Sequence, residues 1–91
     1  MFILVWSPRF TKAAKRFSKL HPELNQRFAR ILRDVERDPF QSHLRLHPLQ
    51  GDLAGIHAIS LTHSYRITLT LKITEHEIIL LDIGSHDEVY G

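Results

Sequence analysis

Cysteine is absent from the 91 residues. Disulfides, thiolate catalysis and thiolate metal sites are therefore excluded together, and a reducing, cytoplasmic setting is expected. Long apolar runs are absent too. The opening run, Phe2 to Trp6, is far too short for a signal-peptide core or a membrane span, and no positive residue precedes it. There is no His-Glu-x-x-His motif and no phosphate-cradling glycine loop, and the seven histidines are scattered along the chain. Neither a metal nor another cofactor is expected. No internal repeat or low-complexity tract interrupts the chain, and its length suits one core rather than two. Residues 1–91 are expected to form a single domain with no role at a membrane.

What is present begins with charge. The formal net charge is only +2, but it is unevenly placed. Residues 1–50 carry ten Lys/Arg against four acids, a balance of +6, whereas residues 51–91 carry two against six, a balance of −4. Positive potential gathered in one half can face a phosphate backbone or an acidic partner.

The run Phe2 to Trp6 reads as a strand buried on both faces. Ser7-Pro8 then supplies an N-cap and a proline at the first helical position, where its missing N–H costs nothing. Phe10, Ala13, Ala14, Phe17 and Leu20 follow as one apolar stripe. His21-Pro22 breaks that helix, because proline disfavours a helical residue before it. A second helix opens at Pro22, carries the stripe Leu24, Phe28, Ile31, Leu32 and Val35, and stops at Asp38-Pro39.

Segment 41–55 shows no clear period. Strands are expected over 55–61, 65–72 and 77–83. The middle one alternates, with Tyr65, Ile67, Leu69 and Leu71 toward the helices and Arg66, Thr68, Thr70 and Lys72 toward solvent. The last is apolar on both faces, as a central strand should be. The expected fold is α+β in the order β-α-α-β-β-β, a helical hairpin covering one face of a small, mainly antiparallel sheet.

An enzyme that cuts RNA without a metal uses the 2′-hydroxyl as its nucleophile. It needs a base for that hydroxyl, an acid for the departing 5′-oxygen and a cation for charge on the phosphate. Histidine can be base or acid near neutrality, and arginine grips phosphate bidentately. His86, in a Gly-Ser-His turn after the last strand, and Tyr90, four residues on, are the first candidates. Arg66 projects to the open face, unless Asp82 neutralises it across the sheet. His47, before Pro48, can lean over the same face. His63 and Ser64, in the turn before Arg66, and Lys72, on its face, are candidates for RNA contact. His57 reads as a partly buried strand residue, His21 as a capping residue, and His43 and His76 as loop surface.

Several stretches together resemble the RelE/ParE superfamily of bacterial toxins, and within it the RelE/StbE and YafQ-like ribosome-dependent mRNA endonucleases. They are Trp6-Ser7-Pro8, Asp38-Pro39-Phe40, His47-Pro48-Leu49-Gln50-Gly51 with Leu53 and Gly55, Ser64-Tyr65-Arg66, and the terminal Ile83-Gly84-Ser85-His86-Asp87-Glu88-Val89-Tyr90. The resemblance implies cleavage of translated mRNA on the ribosome, leaving a 2′,3′-cyclic or 3′-phosphate. It implies an active centre at His47, Arg66, His86 and Tyr90. There are departures: the strand 55–61 lacks the lysines of RelE, Ser60 stands where YafQ-like members have a second histidine, and Ser64 stands at their aspartate.

The resemblance also implies an antitoxin with an acidic, partly disordered tail, and contact with operator DNA only indirectly through that antitoxin. The basic helices, edged by Phe40, Leu44, Leu46, Leu49 and Leu53, are the expected surface for the tail. Two other functions stay open: a ParE-like gyrase inhibitor, and a non-catalytic co-repressor that only binds its antitoxin.

Overall fold

The structure is a computed structural model and describes residues 1–90. Its elements are β1 (Ile3–Trp6), α1 (Pro8–Leu20), α2 (Asn25–Arg37), β2 (His47–Pro48), β3 (His57–Ser60), β4 (Tyr65–Lys72), β5 (Glu77–Ser85) and α3 (His86–Tyr90). The five strands form one mixed sheet in the order β1-β5-β4-β3-β2. β1 runs parallel to β5, and the other neighbours are antiparallel. The α+β class and the element order follow the sequence pattern, with β2 and α3 added.

Local chemistry explains the helix ends. Ser7 Oγ accepts the Phe10 N–H at 3.1 Å, and Pro8 opens α1 where a lost donor is harmless. At the far end the His21 N–H reaches the Phe17 carbonyl at 2.8 Å. Pro22 starts a single 3₁₀ turn, Pro22–Leu24, and only then does α2 begin.

Phe10, Phe17, Phe28, Ile31 and Val35 meet Ile59, Ile67, Leu69, Ile78, Leu80 and Ile83 in one core between the helices and the sheet. The Phe28 ring stands edge-on to both Phe10 and Phe17, at 6.2 Å from each. Each such side chain contributes about 1.5–3 kcal/mol by leaving water.

Four expectations are corrected. β1 is an edge strand, not one buried on both faces: Ile3 is 62% and Trp6 44% exposed. An apolar run reports apolar neighbours, and here Phe2 and Leu4 have them on one side only. Leu44 is fully buried in the core, so the 41–55 segment buries more than its lack of periodicity suggested, although Phe40 stays 60% exposed. His86 begins a helix rather than sitting in a turn.

The last correction concerns the face of the sheet away from the helices. Thr68 lies there yet is only 4% exposed. Leu49, Leu53 and Ile56 of the loop before β3, with Leu81 and Val89, wall a cleft of about 340 Å³ above it. That face is therefore roofed in its middle and open at its ends.

A bulge shapes β5. Thr68 pairs with Asp82 but Leu69 pairs with Leu80, which leaves Leu81 as the extra residue. Core-facing parity thus switches from Ile78 and Leu80 to Ile83, and Leu81 and Asp82 both line the roofed cleft.

Candidate active site

The strand register gathers two of the candidates, His47 and Arg66, on one face. Arg66 pairs with Ser60 on one side and Gly84 on the other. His47 pairs with Ala58, two residues from Ser60 along β3. Paired residues share a face, as do residues two apart on a strand. His47 and Arg66 therefore flank the same strip of sheet, about two strand spacings (~10 Å) apart across it and ~7 Å along it. Long polar side chains at that separation can reach the two sides of one phosphodiester.

His47 is exposed and its ring is oriented. Nδ1 lies 2.9 Å from the Arg45 carbonyl. A carbonyl only accepts, so Nδ1 carries a proton, and in the neutral ring Nε2 is then the acceptor. Arg66 Nη1 donates to the His63 carbonyl at 3.4 Å. Asp82 does not neutralise Arg66. Its carboxylate instead meets Arg9 at 3.0 Å and accepts the Ile83 N–H at 2.9 Å. Among the described residues Arg66 has no carboxylate within ion-pair distance.

His86 stands two residues beyond Gly84, at the start of α3, which lies against β4 and β5. Its ring is exposed and packs edge-to-face on Tyr90, with centroids 4.3 Å apart and planes at 86°. Nδ1 is 3.6 Å from the Asp87 carboxylate. The Tyr90 hydroxyl is buried without a hydrogen-bond partner, so this residue presents its ring to His86 and not its hydroxyl to the open face.

His63 and Ser64 border the site in the β3–β4 turn, both exposed. Lys72 does not join it. It pairs with Glu77 at the far end of β4, six residues (~20 Å) from Arg66. His21 caps α1 through its backbone and stacks between Phe17 and Tyr65, 4.7 Å from each ring. His57 is partly buried, as expected, and its Nδ1 has no partner.

His43 and His47 stand four residues apart, a spacing that brings two rings together on an α-helix. Here the chain between them leaves helical geometry at Arg45, whose φ is +54°. His43 turns to Asp34 at 2.9 Å and His47 to the Arg45 carbonyl. Among the described residues no three His, Asp or Glu side chains cluster as a metal site.

Sequence reading passed over what holds α3. Glu88 Oε1 accepts the Ser85 N–H at 2.8 Å, and Ser85 Oγ lies 3.3 Å from the Glu88 N–H it accepts. This is a capping box, and its signal, Ser-x-x-Glu at 85–88, is plain in the sequence. The Glu88 carboxyl is held below its ordinary value of 4.5, chiefly by the Ser85 N–H and then by the Ser85 side chain.

No family model matches the chain. It is 28% identical over 64 residues to the toxin YoeB of Streptomyces coelicolor, covering 70% of this chain and 74% of that one. The fold superimposes on the crystal structure of YafQ from E. coli strain BL21(DE3) with a TM-score of 0.83, at 17% identity and with 100% of both chains covered. The chain is similar to toxins of the RelE/ParE superfamily, in sequence to YoeB and in fold to YafQ. The crystal structure of the E. coli DinJ–YafQ complex also matches, with a TM-score of 0.74 at 20% identity, again over 100% of both chains. The strip bearing His47 and Arg66 lies on the sheet face that the helical hairpin leaves free. Among the described residues no helix is long and apolar enough to cross a membrane.

Proposed function

We propose that this chain is a toxin of the RelE/ParE superfamily, an endoribonuclease that cuts mRNA on translating ribosomes and is held in check by an antitoxin. In this reading His47 Nε2 takes the proton of a 2′-hydroxyl, and the freed oxygen attacks the adjoining phosphorus. Arg66 stabilises the charge gathering on the phosphate oxygens. The bond to the 5′-oxygen breaks, and His86 returns a proton to it. The products are a 2′,3′-cyclic phosphate and a 5′-hydroxyl. No step requires a metal.

The observation that carries this reading is the His47–Arg45 hydrogen bond, which in the neutral ring leaves Nε2 as the acceptor on the face that Arg66 shares. A base and an arginine without a carboxylate partner suit a phosphodiester better than an inhibitory protein contact would require. Dependence on the ribosome fits so sparse a site, because the ribosome can hold the message in a reactive conformation that the protein need not impose.

The YafQ matched above is seen in complex with DinJ. The partner proposed here is likewise an antitoxin, with an acidic tail suited to the basic helices. The test is expression of the protein followed by mapping of 5′ ends across cellular mRNA. Codon-phased cuts support the proposal. DNA damage without cuts would point to gyrase inhibition, and neither outcome would point to a binding-only co-repressor.

A further inference from the structure

A second cleft, of about 330 Å³, opens where α2 meets the β3–β4 turn. Arg27, His43, Arg45, Ser60, Thr62 and His63 line it. Its four basic side chains are exposed. His43 is held by Asp34, but among the described residues no carboxylate lies within ion-pair distance of Arg27, Arg45 or His63. A concave site with two unpaired guanidinium groups, a further imidazole and two hydroxyls has the chemistry to hold an oxyanion.

Its connections matter more than its charge. The His63 carbonyl accepts from Arg66, and the Arg45 carbonyl accepts from His47. The same two residues thus line the cleft with their side chains and hold the candidate catalytic groups with their backbones. Arg45 does so from a left-handed conformation, φ +54°, which side chains other than glycine rarely adopt. A contact that ties down its guanidinium would also hold that carbonyl in place.

We propose that this cleft binds an RNA phosphodiester other than the one being cut, and that its occupancy fixes the two carbonyls that orient His47 and Arg66. The orienting role rests on the endonuclease reading; the binding site does not. Its phosphodiester comes either from the message itself, reaching round the edge of the sheet from Arg66, or from ribosomal RNA.

The experiment compares the wild-type protein with Arg27→Gln/Arg45→Gln, and with Arg27→Gln alone, which leaves residue 45 unchanged. Circular dichroism checks that all three are folded. In one arm, fluorescence anisotropy follows binding of a labelled 2′-deoxy oligonucleotide, which cannot be cut, as salt is raised. Each single-strand phosphate contact contributes about 0.7 to the slope of log K against log salt. The cleft holds one phosphodiester, so the double variant should lose about 0.7 and the single variant part of that. In the other arm, co-sedimentation with ribosomes lacking message is followed over the same salt range.

A flatter slope in the first arm assigns the cleft to the message. A change confined to the second assigns it to ribosomal RNA. Unchanged slopes in both arms overturn the site, even if cleavage falls. If the wild-type protein cuts no message at all, the endonuclease reading fails while the slopes still decide the cleft.

Discussion

Glu88 and Ser85 hold each other by two reciprocal hydrogen bonds, one to the Ser85 N–H at 2.8 Å and one from the Glu88 N–H to Ser85 Oγ at 3.3 Å. They close the first turn of α3, the element that carries His86 and Tyr90. A five-residue helix has almost no stability of its own. Its shape depends on this cap and on packing against β4 and β5. The two residues therefore help place His86.

Ser85→Ala removes one of the two bonds and should cost about 0.5–2 kcal/mol. The loss should be local to α3, read as faster amide exchange at residues 86–90, and accompanied by slower mRNA cleavage. Unchanged exchange at these amides would show that packing alone fixes the helix.

The same cap gives a pH dependence with a definite sign. The Glu88 carboxyl sits below its ordinary value of 4.5 in the folded protein. Its contribution is thus complete above 4.5 and disappears as pH falls through the lowered folded value. α3 should loosen on acidification below that point, and the loosening should be weaker in Glu88→Gln. Chemical shifts of α3 followed from about pH 6 down to 3 would measure it. An acid transition of equal size in Glu88→Gln would assign it to another group.

Gly84 is the strand residue on which this arrangement closes. A Cβ there would lie 3.0 Å from Glu88 Cβ, 3.0 Å from Oε1 and 3.3 Å from Cδ. The carboxylate end can swing away, but Cβ moves only with the helix. Gly84→Ala should displace α3 and lower cleavage strongly while the sheet stays intact. Adding Glu88→Ala should restore little, because the close Cβ remains. Full recovery in that double variant would place the clash in the carboxylate instead.

His47→Ala, His86→Ala and Arg66→Ala should each slow cleavage, by about 10²- to 10⁴-fold for either histidine. His47 and His86 are exposed and Arg66 is half-buried on the face away from the core, so none leaves a core cavity. Arg66→Lys should rescue little, since an ammonium cannot make the planar two-point contact of a guanidinium. Ribosome co-sedimentation alongside the rate separates lost chemistry from lost binding. A folded His86→Ala protein with full toxicity would remove His86 from the mechanism.

Much of this was legible in the sequence because it depends on local period. The Phe10–Phe17 and Phe28–Val35 stripes mark the helices, and the alternation from Tyr65 to Lys72 gives β4 its bounds. The less legible features are set by distant contacts. Phe2 to Trp6 carries no mark of being an edge, since its position follows from β5 pairing on both sides. The bulge at Leu81 hides in an unbroken apolar run. Thr68 looks solvent-facing by parity, and only Leu49, Leu53 and Ile56, fixed by turns elsewhere, cover it. Arg66 and His47 were readable as candidates. Their shared strip needed the pairing of β2 with β3, a two-residue strand containing proline.

Tyr90 separates the resemblance from the geometry most sharply. The resemblance gives the terminal tyrosine a place in the active centre, yet its hydroxyl is buried and unpartnered. A buried hydroxyl without a partner loses its hydration and gains nothing in return, a penalty of about 1–3 kcal/mol. Its ring, by contrast, supports His86 at 4.3 Å. Tyr90→Phe should then keep the edge-to-face contact, raise stability by about 1 kcal/mol and leave cleavage near the wild-type rate. Tyr90→Ala should lose both the contact and most of the activity. Thermal melts and ribosome-dependent cleavage of the two variants decide the matter. A Tyr90→Phe protein that folds well but cuts poorly would mean that the hydroxyl leaves its buried position when RNA binds and acts on the phosphate directly.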